Sequence, residues 1–188
     1  MSMYKVVLVV IGALAVSLQM AFAQAVKVVG ELAATNVDRP YTDTVPHVFG
    51  RNAAGELIHY YWSPKPGWAV ENLTARANIG TAFQFASDPV VAQRLPDELH
   101  VFGRSAAGEL IHYHWSSGPG WAAENLTARA NIGNAFQFAR DPVVALRLPD
   151  ELHVFGHNAV GELIHYYWSP EPGWSAQNLT TTAPRVGP

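Results

Sequence analysis

The sequence contains no cysteine, so no disulfide framework braces it, and its stability must come from an apolar core and sheet hydrogen bonds. For a chain that carries an export signal, this lack points to a bacterial exported protein. Charge is also sparse: 14% of residues are Asp, Glu, Lys or Arg, and the formal net charge is −3 with the eight histidines neutral. No stretch gathers Lys or Arg beyond isolated residues, so the phosphate-neutralising term that nucleic-acid or anionic-membrane binding requires is missing. Helical 3.6-residue periodicity is absent from the repeated region, which excludes a helical solenoid. What is abundant is apolar side chain, 49% of the total, enough for a packed core.

The N-terminus carries Lys5, an apolar run from Val6 to Leu18 and then Ala21-Phe22-Ala23 before Gln24. The run is shorter than the roughly 20 residues a membrane span needs. It is followed by an A-x-A cleavage pattern, so residues 1–23 are expected to be a signal peptide, with secretion or export to the periplasm and no membrane insertion after cleavage. Residues 24–46 form a lead-in expected to supply one strand at most, with Val28 to Leu32 echoing the outermost strand of the unit described next.

From residue 47 to 188 the chain is a tandem repeat of 53-residue period, with copies starting at His47, His100 and His153. His-Val-Phe-Gly opens each copy, and Gly55-Glu-Leu-Ile-His-Tyr60 returns at Gly108 to Tyr113 and at Gly161 to Tyr166. All six tryptophans obey the same offset: Trp62 and Trp68, Trp115 and Trp121, Trp168 and Trp174. Copies one and two differ at eight of 53 positions. Within a unit, apolar residues alternate with period two over Leu99 to Arg104 and Leu110 to Trp115. A third strand is expected over Trp121 to Thr127, and the linker 128–141 is expected to lay Phe136 and Phe138 over the core. Pro142-Val-Val-Ala-Leu then provides the innermost strand of the next unit. Both faces of these strands carry bulky apolar groups, so both must be covered.

Four strands in about 50 residues is the size of a propeller blade. The expected fold is therefore all-β, with β-propeller blades of four antiparallel strands, three in tandem, forming an incomplete ring in one chain. A β-sandwich is the competing architecture, but it does not demand such close repetition. Propellers close with roughly four to eight blades, and an open arc leaves two aromatic faces bare. Self-association that closes a ring is the expected consequence, six blades from a dimer being the simplest case.

The phrase His-Val-Phe-Gly-Arg, a Gly-terminated turn, Glu-Leu-Ile-His-Tyr-His-Trp, then Gly-Trp and Glu-Asn-Leu-Thr resembles the repeats of the seven-bladed β-propeller lectins of the Photorhabdus type, over residues 47 to 180. The resemblance implies binding of fucose and related sugars in pockets between adjacent blades. This chain has three repeats where those proteins have seven, and its linker 75–87 is longer than theirs.

Indole faces stack on pyranose rings, whose hydroxyls then need nearby donors and acceptors. Trp68, Trp121 and Trp174 follow Pro-Gly turns at a strand start and are the first candidates for sugar contact. Trp62, Trp115 and Trp168 are further candidates, but their apolar strand neighbours favour a reading as inter-blade core. Polar candidates in the same units are Arg51, Glu56, His59 and Asn72, with Arg104, Glu109, His112 and Asn125. Glu56 and Glu109 also read as hairpin residues beside Gly turns, and His47, His100 and His153 as hydrogen-bonded blade residues.

His112 and His114 share one strand face, but the counterparts of His114 are Tyr61 and Tyr167 and no neighbouring ligand completes a metal set. Neither a metal nor any other cofactor is expected. A catalytic centre would need a residue that breaks the repeat, and Lys65, His114, Arg140, His157 and Glu171 are scattered. The sequence thus favours a non-catalytic, carbohydrate-binding, lectin-like protein with repeated weak sites, glycans being its partners. The alternative is a structural or protein-interaction propeller whose aromatics are all core.

Overall fold

A computed structural model describes residues 27–39, 42–77, 83–130, 134–147 and 150–185; the expected signal peptide lies outside them. Within these residues, strands form three four-stranded antiparallel sheets. Blade 1 contains β1 (Val29–Arg39), β2 (Thr42–Arg51), β3 (Leu57–Ser63) and β4 (Gly67–Asn72). Blade 2 contains β5 (Val90–Gln93), β6 (Glu98–Arg104), β7 (Leu110–Ser116) and β8 (Gly120–Asn125). Blade 3 contains β9 (Val143–Arg147), β10 (Glu151–His157), β11 (Leu163–Ser169) and β12 (Gly173–Asn178). Each sheet runs in sequence order from an innermost to an outermost strand. These are propeller blades in an incomplete ring, as the repeat predicts.

Each sequence repeat is out of phase with the blade. β5 belongs to the copy that starts at His47 but pairs with β6 of the next copy, Val91 opposite Val101. β9 pairs with β10 in the same way. The lead-in supplies the equivalent strand for blade 1, with Ala34 opposite Val48. This corrects the expectation that Val28 to Leu32 echo an outermost strand. The segment is innermost because β2 offers its only unpaired edge on that side, β3 taking the other.

Period-two alternation gives every blade a leading and a trailing face. The faces mate in sequence order. Phe49, Leu57, Leu73 and Phe85 pack with Leu99, Val101, Ile111 and Tyr113 at the first junction. Phe102, Leu110, Leu126 and Phe138 pack with Leu152, Val154, Ile164 and Tyr166 at the second. As expected, the linker contributes a phenylalanine to each core. Phe138 fits because Gly156 lacks a side chain: a Cβ there would lie 2.8 Å from the Phe138 ring. Phe85 uses Gly103 likewise, at 2.4 Å. The Phe138 N–H donates to the Gly108 carbonyl (2.6 Å) and the Ala139 N–H to the His157 carbonyl (2.7 Å), so the linker is bonded to both blades it joins.

The third strand is shorter than the sequence predicts. It ends at Asn125, and Leu126–Ala130 is a short helix, α2, matching α1 over Leu73–Ala77. Asn72 and Asn125 cap these helices, accepting from the Ala75 and Ala128 N–H groups at 2.9 Å, which serves helix donors that lack an internal partner. The turn of helix buries a threonine. Thr74 accepts from the Leu57 N–H (2.9 Å) and meets the Tyr113 hydroxyl (2.8 Å), which donates to the Phe83 carbonyl (3.1 Å). Thr127, Tyr166 and Phe136 repeat the chain at the second junction. Burial pushes both tyrosines up to about 12, so they act as neutral donors.

Placing a methyl at Gly156 forces the Phe138 ring to shift in a packed core. Gly156→Ala is expected to lower the unfolding free energy by about 1–3 kcal/mol. Gly118→Ala, where nothing lies within 4 Å of the added carbon, is expected to change it by less than about 0.5 kcal/mol. Urea unfolding of the two variants measures the difference.

Candidate functional site

Beyond the apolar core of each junction, at the end of the strands that carries the tryptophans, the blades leave a cleft with one aromatic and one polar wall. The first cleft, of about 180 Å³, is lined by His47, His59, Tyr61, Glu71 and Arg76 of blade 1 and by Leu99, Trp115 and Trp121 of blade 2. The second, of about 280 Å³, has His100, His112, His114, Glu124 and Arg129 opposite Trp168 and Trp174, with Arg94, Glu98, Trp115 and Ser116 at its border. Both are smaller than the roughly 300–1,000 Å³ of a drug-sized site, so the scale is that of one small ring.

Strand pairing builds the polar wall. His47 lies opposite Tyr61 and Phe49 opposite His59, and their rings form one stack, with 4.5 Å between Phe49 and His59 and 5.0 Å between His47 and His59. His59 also faces Glu71 across β3 and β4. Its Nδ1 lies 2.9 Å from Glu71 Oε1 and its Nε2 2.8 Å from His47 Nδ1. Arg76, one helical turn beyond, donates to the other carboxylate oxygen. An ionised Glu71 sets the tautomers: His59 donates from Nδ1 and accepts at Nε2 from His47. In the second cleft Arg129, Glu124, His112 and His100 form the same chain, with 3.0 Å from His112 to Glu124 and 2.9 Å from His100 to His112.

Burial is the largest influence on these imidazoles. It pushes His112 down to about 4 and His100 to about 2, and lowers His59, although the carboxylates pull His59 and His112 the other way. On Glu124 burial acts upward, but hydrogen bonds from His112 and Arg129 outweigh it and bring the group to about 2; Glu71 is lowered by the corresponding bonds. At neutral pH the first cleft therefore presents an ionised Glu71, the Arg76 guanidinium and an uncharged His59, and the second an ionised Glu124, the Arg129 guanidinium and uncharged His100 and His112. The opposite wall stands across the stack: Trp121 meets Phe49 and His59 edge-on, at 75° and 71°, and Trp174 meets Phe102 and His112 likewise.

The sequence candidates divide by location. Trp115, Trp121, Trp168, Trp174, His59 and His112 line the clefts. Trp62 and Trp68 are on the leading face of blade 1, which no other blade covers among the described residues, and are exposed. Arg51 and Arg104 end β2 and β6 opposite Leu57 and Leu110 and do not line the clefts, Arg51 donating to Asp88 at 3.1 Å and Arg104 to the Ser105 carbonyl at 3.3 Å. Glu56 accepts from Asn52 at 2.6 Å and Glu109 from Ser105 at 3.4 Å, both inside hairpins. Asn72 and Asn125 cap helices. The sequence reading passed over Glu71, Arg76, Glu124 and Arg129. Their signal was present in Glu-Asn-Leu-Thr-Ala-Arg, repeated at 71–76 and 124–129, but it needed a helix after the strand to bring the two charges together. Among the described residues no group of three His, Asp or Glu is placed to hold a metal ion, and no helix is long and apolar enough to cross a membrane.

Three four-stranded blades with clefts at their junctions define part of a β-propeller of the kind seen in solved lectins. A protein from Arthrobotrys oligospora (AofleA) superposes with a TM-score of 0.59 at 14% identity, over 81% of this chain and 42% of its own. A fucose lectin from Kordia zhangzhouensis, in complex with methyl-fucoside, gives 0.54 at 17%, over 77% of this chain and 96% of its own. The six-bladed fungal lectin of Aleuria aurantia gives 0.54 at 13%, over 78% of this chain and 45% of its own. This chain thus spans less than half the length of the two fungal structures. In sequence, residues 46–90 match a repeat of unknown function (DUF346). No curated protein matches the chain.

Imidazoles held neutral in the fold but free to protonate when unfolded, near pH 6.5, make stability depend on pH. Below that value the unfolded chain binds more protons, so stability is full above about pH 6.5 and falls toward the folded values. The lowered carboxylates add to the loss below their ordinary range. Each imidazole contributes a slope approaching about 1.4 kcal/mol per pH unit. Urea unfolding at pH 7.5, 6 and 5 is expected to show a steadily smaller free energy, and a flat profile would contradict the buried relay.

Proposed function

We propose that this is a secreted carbohydrate-binding, lectin-like protein that takes one sugar ring in the cleft at each blade junction, fucose or a related sugar. The observation that carries the reading is the repeated pairing of an indole wall with a carboxylate and a guanidinium already fixed by the fold. A sugar ring has an apolar face that an indole covers and vicinal hydroxyls that donate to a carboxylate and accept from an arginine. Because Glu71 and Glu124 are held by His59 and His112 before any ligand arrives, little ordering cost remains to be met on binding. The fucose lectins among the solved neighbours support the choice of sugar, and the two-sided clefts suit weak sites whose effect multiplies by avidity on a glycan surface. This function calls for no catalytic group.

Calorimetry with α-methyl-L-fucoside, and a glycan array, test this. Trp174→Ala and Glu124→Gln are each expected to weaken the second cleft by at least about tenfold, equivalent to about 1.4 kcal/mol, while the first cleft keeps its affinity. Flat responses across a broad array from folded protein would remove the proposal.

A further inference from the structure

The two internal junctions state a docking rule: the trailing face of one blade receives the tryptophan face of the next. Among the described residues, blade 1 and blade 3 each carry one unmatched half of that joint. On blade 1, Trp62, Trp68 and Val70 are exposed, Trp68 at 56% and Val70 at 48%, whereas their counterparts Trp115, Trp121 and Ala123 pack against the first core. On blade 3, Val143 is 60% exposed and Phe155, Leu163 and Leu179 are half-buried. Their counterparts Val90, Phe102, Leu110 and Leu126 belong to the second core. Thr180 already accepts from the Leu163 N–H at 2.8 Å, the position from which Thr74 and Thr127 reach a tyrosine hydroxyl on the following blade.

The polar wall of blade 3 nevertheless departs from the other two. At the places of Glu71 and Glu124 stands Gln177, and at those of Arg76 and Arg129 stands Thr182. Gln177 Nε2 lies 3.0 Å from His165 Nδ1, and His165 Nε2 lies 2.9 Å from His153 Nδ1. With an amide nitrogen donating to His165, the proton order of the histidine pair runs opposite to that in the charged clefts. The pair is kept, but the carboxylate and guanidinium are gone.

We propose that a second copy of this chain seats its Trp62 and Trp68 face on the β10–β12 face of blade 3, and that this joint builds a third cleft, without the Glu and Arg pair of the other two, from Gln177, Thr182, His153 and His165 of one copy and Trp68 of the other, with Glu151 standing 3.4 Å from His153 Nε2. The occupant is a second copy because the matching face is present on this same chain and the internal joints already display the fit. Two copies complete the arc: the chain overlays 45% of a six-bladed ring. Such a dimer carries two charged clefts and one amide cleft per chain. The amide cleft takes an uncharged sugar by stacking and by hydrogen bonds to Gln177, without the charge-assisted bonds that Glu124 and Arg129 offer and that are roughly twice as strong, and so binds more weakly. The ligand class of this cleft rests on the function proposed above, whereas the joint itself does not.

Light scattering coupled to size exclusion, followed by calorimetry with α-methyl-L-fucoside, tests both parts. The mature protein is expected at twice the chain mass, and Trp68→Arg at the chain mass with both charged clefts still binding. A monomeric parent protein, or a dimer indifferent to Trp68→Arg and to Val70→Asp, overturns the joint. Gln177→Glu combined with Thr182→Arg restores the missing pair and is expected to raise the tight sites from two to three per chain in the dimer. The same change in the Trp68→Arg background is expected to leave two. A count unchanged by the double substitution in the dimer overturns the third cleft. Absence of sugar binding at every site, with the Trp68-dependent dimer intact, refutes the sugar reading and supports the joint.

Discussion

Each sheet in this protein is apolar on both sides, and no single blade can hide both. Everything else follows from that constraint. Burial of one face against its neighbour is worth on the order of 25 cal/mol per Å² of apolar surface, and here it is concentrated at two junctions. The phenylalanines of the linkers complete each junction by resting on a glycine of the following blade. A buried threonine and tyrosine then satisfy the polar groups that the short helix turns into the same joint. Without the junctions there is neither a core nor a cleft.

The clefts are by-products of the same geometry. The faces that pack as apolar core at one end of the strands carry polar and aromatic side chains at the other, where the clefts lie. The alternation that sends Phe49 into the core also sends His47 and His59 into the stack above it, and pairing across β3 and β4 sets Glu71 against His59. The polar wall is thus held by the fold. Its hydrogen bonds exist with the cleft empty and keep Glu71 and Glu124 ionised, while burial keeps His59, His100 and His112 neutral against the pull of those carboxylates.

Much of this was legible in the sequence. The 53-residue offset, the two-residue alternation and the turn glycines specify four strands per unit, because each is a local signal repeated three times. The phenylalanines of the linker were legible as core for the same reason. Three features were hidden. The lead-in forms an innermost strand by pairing with β2, which no local pattern announces. The helix at Leu126 was read as strand because five residues are too few to show a 3.6 period. The Glu and Arg of the clefts were overlooked because their meeting depends on that helix, while Arg51, Glu56 and Asn72 looked polar and near the tryptophans yet are consumed by the bond to Asp88, a hairpin and a helix cap.

The phase difference between repeat and blade has a consequence for how such a chain grows. The first two copies each give three strands to one blade and the innermost strand to the next, so both boundaries between copies fall inside a sheet. Inserting one more copy of 53 residues would lengthen the arc by a blade without leaving a seam, since the newcomer is knitted to both neighbours by backbone pairing. The number of blades in the chain is then free to change in whole steps while the shape of each joint stays the same.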